Sequence, residues 1–194
     1  GHDVGCNVWA ENNQLMIYLC QSGAFDENGC LLKHGRLRLE ADASLMAAGF
    51  RQTLHLEDGY VSVELGGGED TLRYELWCAV SKPELHIRYV SSRPRRLAAM
   101  FDCWRCRDRV VPPYEAHQCR DYCEHPDLEA GKVVTRKDIV EPGASELFYY
   151  HQNRAEGETL LDKLVAEQHA ESFRDKAYDC IGGRIVGGLM RMDG

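Results

Sequence analysis

Asp26, Glu27 and Asn28 are the residues of this 194-residue chain whose types and spacing most directly suggest chemistry. Two adjacent carboxylates and an amide can bind sugar hydroxyls, or act as general acid and base where they are held at a suitable separation. Adjacent residues of an extended segment point to opposite sides, so this pair alone is not expected to flank one bond. Two interpretations remain open: a turn ending at Gly29 that is closed by local side-chain hydrogen bonds, or a binding role at the edge of a larger site.

His151 is a further candidate for substrate binding, because it follows the aromatic residues at 148–150 and precedes Asn153 and Arg154. Aromatic rings with His, Asn and Arg at a sheet edge can stack on a sugar and bond its hydroxyls. They could equally pack a corner between two sheets. No Ser, His and Asp follow a recognisable nucleophile pattern, so no catalytic residue is predicted. The predicted substrate-binding residues are Asp26, Glu27, Asn28 and His151.

Four of the nine cysteines are spaced like a tetrahedral zinc site. Cys103 and Cys106 form one close pair, and Cys119 and Cys123 form a second, which is the arrangement in which thiolates fold around a structural zinc ion. A disulfide and unliganded thiols are the alternatives. Four sulfur ligands would leave no open position, so zinc here would be structural. The scattered cysteines are expected to be small buried hydrophobic residues; they are Cys6, Cys20, Cys30, Cys78 and Cys180.

Alternation with a period of two predicts the strands that would position these side chains. Leu54 and Leu56 alternate with polar residues, and Asp58-Gly59 is typical of a hairpin turn. About nine or ten such segments predict an all-β fold, a large antiparallel β-sandwich of the supersandwich kind with one short helix at 159–170. Residues 1–194 are predicted to form a single domain, with a Cys-rich excursion between strands at 105–131.

Composition excludes two classes of partner. The net charge of −8 argues against a nucleic-acid binder, which needs a concentrated basic surface. Arg93, Arg95 and Arg96 around Pro94 are interpreted as a solvated turn rather than a phosphate site. No apolar run is long enough to span a membrane. The cysteine content favours a reducing compartment, and the chain is expected to be a fragment or a processed form, because it has no initiator Met.

Several motifs resemble one known family. The opening G-H-D-V-G-C-N-V-W and the run A-F-D-E-N-G-C-L-L-K-H-G-R-L-R-L are similar to the N-terminal β-sandwich of glycoside hydrolases related to family 95, the α-L-fucosidase and α-galactosidase group. Counterparts follow in order at 50–52, 104–105, 150–153 and 182–184. His2 and Phe25 depart from the family pattern, and the excursion at 105–131 has no counterpart.

The resemblance implies a twisted sandwich that precedes a catalytic (α/α)6 barrel, with carbohydrate as the substrate of the parent enzyme. The general acid and base of such enzymes belong to the barrel, which is absent here, and such enzymes are often exported. We therefore expect a non-catalytic N-terminal domain that supports a C-terminal catalytic domain and lends a loop to its carbohydrate site. The alternatives are a free-standing carbohydrate-binding module and a zinc-stapled structural or interaction domain.

Overall fold

The computed structural model describes residues 2–40, 42–116, 133–154 and 156–193. Half of the chain is β-strand and about an eighth is helical, so the prediction of an all-β antiparallel fold is confirmed. The strands are β1 (Val4–Glu11), β2 (Gln14–Phe25), β3 (Leu31–Glu40), β4 (Phe50–His55), β5 (Tyr60–Gly67), β6 (Asp70–Cys78), β7 (Leu85–Ser91), β8 (Ala99–Asp102), β9 (Arg109–Val110), β10 (Val134–Thr135), β11 (Ile139–Pro142), β12 (Glu146–Gln152) and β13 (Ile185–Arg191). The helices are α1 (Ala43–Ala48), α2 (Pro113–Ala116), α3 (Leu160–Glu167) and a 3-10 helix at Glu171–Lys176.

The strands pair in four sheets, with the orders β1-β2-β3-β8, β4-β5-β6-β7, β9-β10 and β11-β12-β13. The chain divides into two compact units, each described separately below. Unit 1 comprises Gly1–Ser22 and Gly35–Asp102, and unit 2 comprises Gly23–His34 and Cys103–Gly194. Strands β2 and β3 therefore contribute residues to both units. The prediction of a single domain over 1–194 stays a prediction.

Unit 1 is built around the meander β4-β5-β6-β7, and the hairpin turn predicted at Asp58-Gly59 joins β4 to β5. The turn before Tyr60 contains Gly59 at a φ of 71°, a conformation that a residue without a side chain adopts readily. The inward-facing side chains of β5 and β6 are almost fully buried and form the core; they are Val63, Leu65, Leu72, Tyr74 and Leu76.

Four rings lie in register across the opposite face of this sheet. His55 pairs with Tyr60, Tyr60 with Trp77, and Trp77 with His86. The His55 and Tyr60 rings stack with centroids 4.2 Å apart, and those of Trp77 and His86 stack 5.2 Å apart. Aromatic cross-strand pairs of this kind stabilise a sheet, because each ring covers one face of its neighbour.

Unit 2 contains β11-β12-β13 and the helices at 113–116, 160–167 and 171–176. Residues 133–140 are divided between β10 and β11, and residues 136–138 between them turn towards the loop at 26–30. Helix α3 lies inside the predicted helix at 159–170. A capping box defines its start: Thr159 accepts a hydrogen bond from the Asp162 backbone, and Asp162 accepts one from that of Thr159.

No helix within the described part of the chain is long and apolar enough to cross a membrane.

Candidate functional site: a buried polar network in unit 2

Asp26 closes the loop between β2 and β3. Its side chain is almost fully buried, and its Oδ1 accepts hydrogen bonds from the backbone N–H groups of Asn28 at 2.9 Å and Cys30 at 2.8 Å. The Gly29 backbone donates to the Asp26 carbonyl at 3.0 Å, and Oδ2 accepts from the Thr135 hydroxyl at 3.3 Å. The turn interpretation is therefore correct, because this carboxylate satisfies backbone donors that would otherwise be buried without partners.

Glu27 and Asp138 flank the imidazole of His151. Its Nε2 lies 3.0 Å from Glu27 Oε2, and its Nδ1 lies 2.9 Å from Asp138 Oδ1. The three side chains are only 1%, 11% and 7% exposed, in the order His151, Glu27 and Asp138. The other Glu27 oxygen accepts the Arg136 backbone N–H at 3.2 Å. Strand β12, the loop at 26–30 and the segment 136–138 are thus joined through one ring.

Arg105 supplies a second cation to the network. Its Nε and Nη2 contact the two oxygens of Asp138, each at 2.8 Å, in the bidentate geometry that favours a guanidinium–carboxylate pair. Nη2 also donates to the Lys33 carbonyl at 2.7 Å. Cys103 Sγ lies 3.7 Å from Asp138 Oδ2. Asp138 therefore carries its negative charge between two cationic groups.

Two amides extend the network. Asn28 Nδ2 donates to the Val134 carbonyl at 3.0 Å. Asn153 Nδ2 donates to the carbonyls of Phe25 and Ile181, both at 3.0 Å. The Asn28 amide thereby links the loop at 26–30 to β10. The Asn153 amide links the end of β2 to the residues that precede β13.

The pKa shifts follow from burial and from these charges. Burial by itself would lower the pKa of His151, but the hydrogen bonds and charges of Asp138 and Glu27 outweigh it and raise the pKa to about 9. Burial opposes ionisation of Glu27, yet the hydrogen bond from His151 lowers the pKa of this carboxyl below its usual value. Burial raises the pKa of Asp26 despite the backbone donors at Cys30 and Asn28. At neutral pH His151 is an imidazolium that donates from both nitrogens.

This protonation state limits the chemistry of His151. A general base or a metal ligand needs a free ring nitrogen lone pair, whereas both nitrogens here donate to carboxylates. Glu27 uses one oxygen for the ring and the other for a backbone donor. The network therefore holds three segments of unit 2 together.

A small polar cavity adjoins the loop at 26–30. Its volume is about 140 Å³, and its lining includes Glu27, Asn28, Arg154, Thr159 and Lys163. Drug-sized ligands are usually bound in cavities of about 300–1,000 Å³. The cavity can therefore receive only part of a larger ligand.

Sequence patterns identified part of this network. All four predicted substrate-binding residues lie in unit 2, where Glu27 contacts His151 directly, and Glu27 and Asn28 line the small cavity. Asp138 and Arg105 were missed as network members. Asp138 stands in an ordinary polar-to-apolar transition at the start of β11, and nothing in its neighbours indicates a paired acid.

The predicted zinc ligands lie partly outside the described residues. Cys103 and Cys106 carry free thiols, whereas Cys119 and Cys123 lie at positions that the structure does not describe, so the zinc site stays a prediction. Over the described ranges, no group of three or more His, Cys, Asp or Glu side chains is arranged to hold a metal ion. Cys30 forms a disulfide bond, and Cys20 and Cys180 are exposed, so the expectation that these cysteines are small buried hydrophobic residues was wrong for all three.

Stability should fall as the pH rises, since His151 loses its proton more readily in the unfolded chain than in the folded one. Its pKa rises from 6.5 to about 9 on folding. This contribution is complete below pH 6.5 and is lost between pH 6.5 and 9, by about 3 kcal/mol in total. Urea unfolding at pH 6.0 and 8.5 measures it. A His151→Gln variant, which cannot titrate there, should show a clearly smaller difference, and equal differences would contradict the assignment.

The fold and the network define a class of protein: an all-β antiparallel protein in which buried ionic groups link the loop between two strands to distant segments of the chain. A family model described as "Domain of unknown function (DUF5703)", in the form DUF5703_N, matches residues 1–194. The chain belongs to this family. The comparisons with curated proteins and with solved structures find no match.

Proposed function

We propose that this chain is the non-catalytic N-terminal β-sandwich domain of a glycoside hydrolase. It supports a catalytic (α/α)6 barrel and places the loop at 26–28 beside the carbohydrate site of that barrel. The motif order from the opening residues to 182–184 supports this family relationship, and the N-terminal form of the matching family model agrees with a domain that precedes another.

The observation that carries the proposal is an exposed apolar face on β11-β12-β13, here called the sheet face. Phe148 is directly opposite Leu189, and Ile139 is opposite Tyr150, so these side chains share one side of the sheet. Phe148, Leu189 and Ile185 are 47%, 49% and 59% exposed. The same face also carries Glu141, which is opposite Phe148, and the cross-strand pair Glu146 and Arg191. Exposed apolar residues with charged neighbours on one face of a sheet are typical of surfaces that another domain covers.

The state of the acids supports a non-catalytic role. Glu27 and Asp138 are paired with His151, and Asp26 binds backbone donors. A glycosidase needs one protonated acid and one free carboxylate on either side of the bond. Such a pair is expected on the barrel.

The stacked rings of β4–β7 give less support to a free-standing carbohydrate-binding module. A binding platform presents ring faces to the sugar. In the pairs His55–Tyr60 and Trp77–His86, one face of each ring is covered by its partner.

Association with the catalytic domain tests the proposal. The chain is co-expressed with the polypeptide encoded downstream of residue 194, and the affinity of the two parts is measured. Phe148→Asp should weaken association at least about tenfold, because it places a charge at the centre of the buried face. Phe173→Asp is the matched control, since Phe173 is 61% exposed on the 3-10 helix, away from the sheet face.

The hydrolysis of aryl glycosides is assayed in parallel. The chain alone should be inactive and the reassembled pair active. Hydrolysis by the isolated chain, or equal association of Phe148→Asp and the unmodified chain, would overturn the proposal.

A further inference from the structure

Unit 1 contains a cavity of about 450 Å³ that the network and the sheet face do not involve. It is bounded by β6 and β7, by the start of α1 and by the segment 94–97 that follows β7. Its volume lies within the range of about 300–1,000 Å³ that is usual for small-molecule sites. The arginine-rich segment, interpreted from the sequence as a solvated turn, forms one of its walls.

One side of the cavity is aromatic and aliphatic. Tyr74 and Tyr89 are cross-strand partners whose ring centroids lie 6.5 Å apart, and Leu72 is next to them on the same face of the sheet. Tyr74 is fully buried and its hydroxyl donates to the Glu40 carbonyl at 3.3 Å, whereas Tyr89 is 42% exposed. The Tyr89 ring can therefore meet a ligand without any rearrangement of the core.

The other lining residues include equal numbers of acids and arginines. Glu40 and Asp42 provide two carboxylates, and Arg95 and Arg96 provide two guanidinium groups. Arg95 is fixed in place, since its Nη1 lies 3.0 Å from Asp42 and its Nη2 pairs with Asp70. Its Nε is buried and has no hydrogen-bond partner among the residues that the structure describes. This nitrogen is closed to solvent, so a ligand in the cavity meets Arg95 through its η nitrogens.

Tyr89 offers an aromatic face, and two acids and two arginines offer hydrogen-bond acceptors and donors. This lining matches a ring that is apolar on its faces and hydroxylated at its edge. We propose that this cavity binds a neutral pyranose sugar. One face of the sugar stacks on Tyr89, and its hydroxyls accept from Arg95 and Arg96 and donate to Glu40. The equal numbers of acids and arginines favour a neutral sugar over an anionic one, because an added carboxylate would meet Asp42 and Glu40 as well as the arginines.

The site is tested by NMR titration of the chain, which at 22.0 kDa is suited to amide shift mapping. D-glucose, D-galactose and L-fucose are the neutral probes, and D-glucuronate is the anionic one. At least one neutral sugar should bind saturably, with a Kd of about 1 mM, and shift the amides of residues 72–74, 89 and 95–97. Tyr89→Ala and Arg96→Gln should each weaken binding at least about tenfold.

Matched variants control for indirect effects. Tyr178→Ala removes another exposed tyrosine, which is 87% exposed in unit 2, and Arg51→Gln removes an exposed arginine from β4 in unit 1. Both should leave the affinity unchanged within about twofold. The proposal is overturned by absence of saturable binding, by shifts that centre elsewhere, by tighter binding of glucuronate, or by equal affinity in Tyr89→Ala. The test uses this chain alone, so its failure is separable from a failure of docking to a catalytic domain.

Discussion

Replacement of His151 by alanine should lower the free energy of unfolding by about 3–5 kcal/mol, the largest effect expected of any single side chain in unit 2. The ring supplies the positive charge between Glu27 and Asp138, which are 11% and 7% exposed. Without it, Glu27 keeps the Arg136 backbone donor and Asp138 keeps Arg105 and the Cys103 thiol, but both carboxylates lose the positive charge of the ring. Removing one partner of a buried ion pair is costly because the remaining charge stays poorly solvated.

Urea denaturation at pH 6.5 measures this loss, and amide hydrogen exchange locates it. Exchange should accelerate in β12 and in the loop at 26–30. His86→Ala is the matched control, because its ring stacks on Trp77 at the surface of unit 1 and its side chain is 44% exposed; a loss of at most about 1 kcal/mol is expected there. Equal losses for the two variants would show that the ionic bridge contributes nothing beyond an ordinary surface contact.

Asp26 should behave differently towards its two neutral replacements. Asp26→Ala leaves the backbone donors of Asn28 and Cys30 without an acceptor, and should cost about 3 kcal/mol. Asp26→Asn keeps an oxygen in the same position, and its amide can donate to the Thr135 hydroxyl, so most of the stability should be retained. Burial raises the pKa of Asp26, which means that this buried position disfavours the charged carboxylate. A neutral asparagine side chain is therefore easier to desolvate there.

Denaturant unfolding of both variants at neutral pH compares these costs. Glu158→Ala gives a surface reference, since that glutamate is exposed. Losses of the same size for Asp26→Ala and Asp26→Asn would mean that the negative charge itself, rather than the hydrogen-bonded turn, stabilises the loop. Such a result would return Asp26 to consideration as an acid with a chemical role.

Local patterns predicted the elements well where the physical signal is local. The Asp58-Gly59 turn and the alternation along β5 and β6 depend on neighbours within a few residues, so the hairpins lie where expected. The segment 133–140 was harder to predict. Its apolar and β-branched residues favour one continuous strand, but 136–138 turn aside to meet Glu27 and His151. Tertiary hydrogen bonds outweigh strand propensity there.

The loop at 26–28 shows the same division for the site. Its composition indicated a turn with polar side chains. The hydrogen bonds from the Asn28 and Cys30 backbone to the Asp26 side chain close such a turn. Whether Glu27 was free to act on a substrate depended on Asp138 and His151, which lie more than a hundred residues further along the chain. No local pattern encodes that encounter.

The sequence by itself therefore determined the all-β antiparallel class, the main hairpins and the side chains worth examining, because alternation and turn chemistry act over short distances. Only the tertiary structure decided that Glu27 and His151 neutralise each other and that β11-β12-β13 presents an apolar face. It also decided that residues 94–97, which follow β7, line a cavity. Charge pairing and burial are properties of groups brought together by folding, and they set whether a carboxylate or an imidazole is reactive or merely structural.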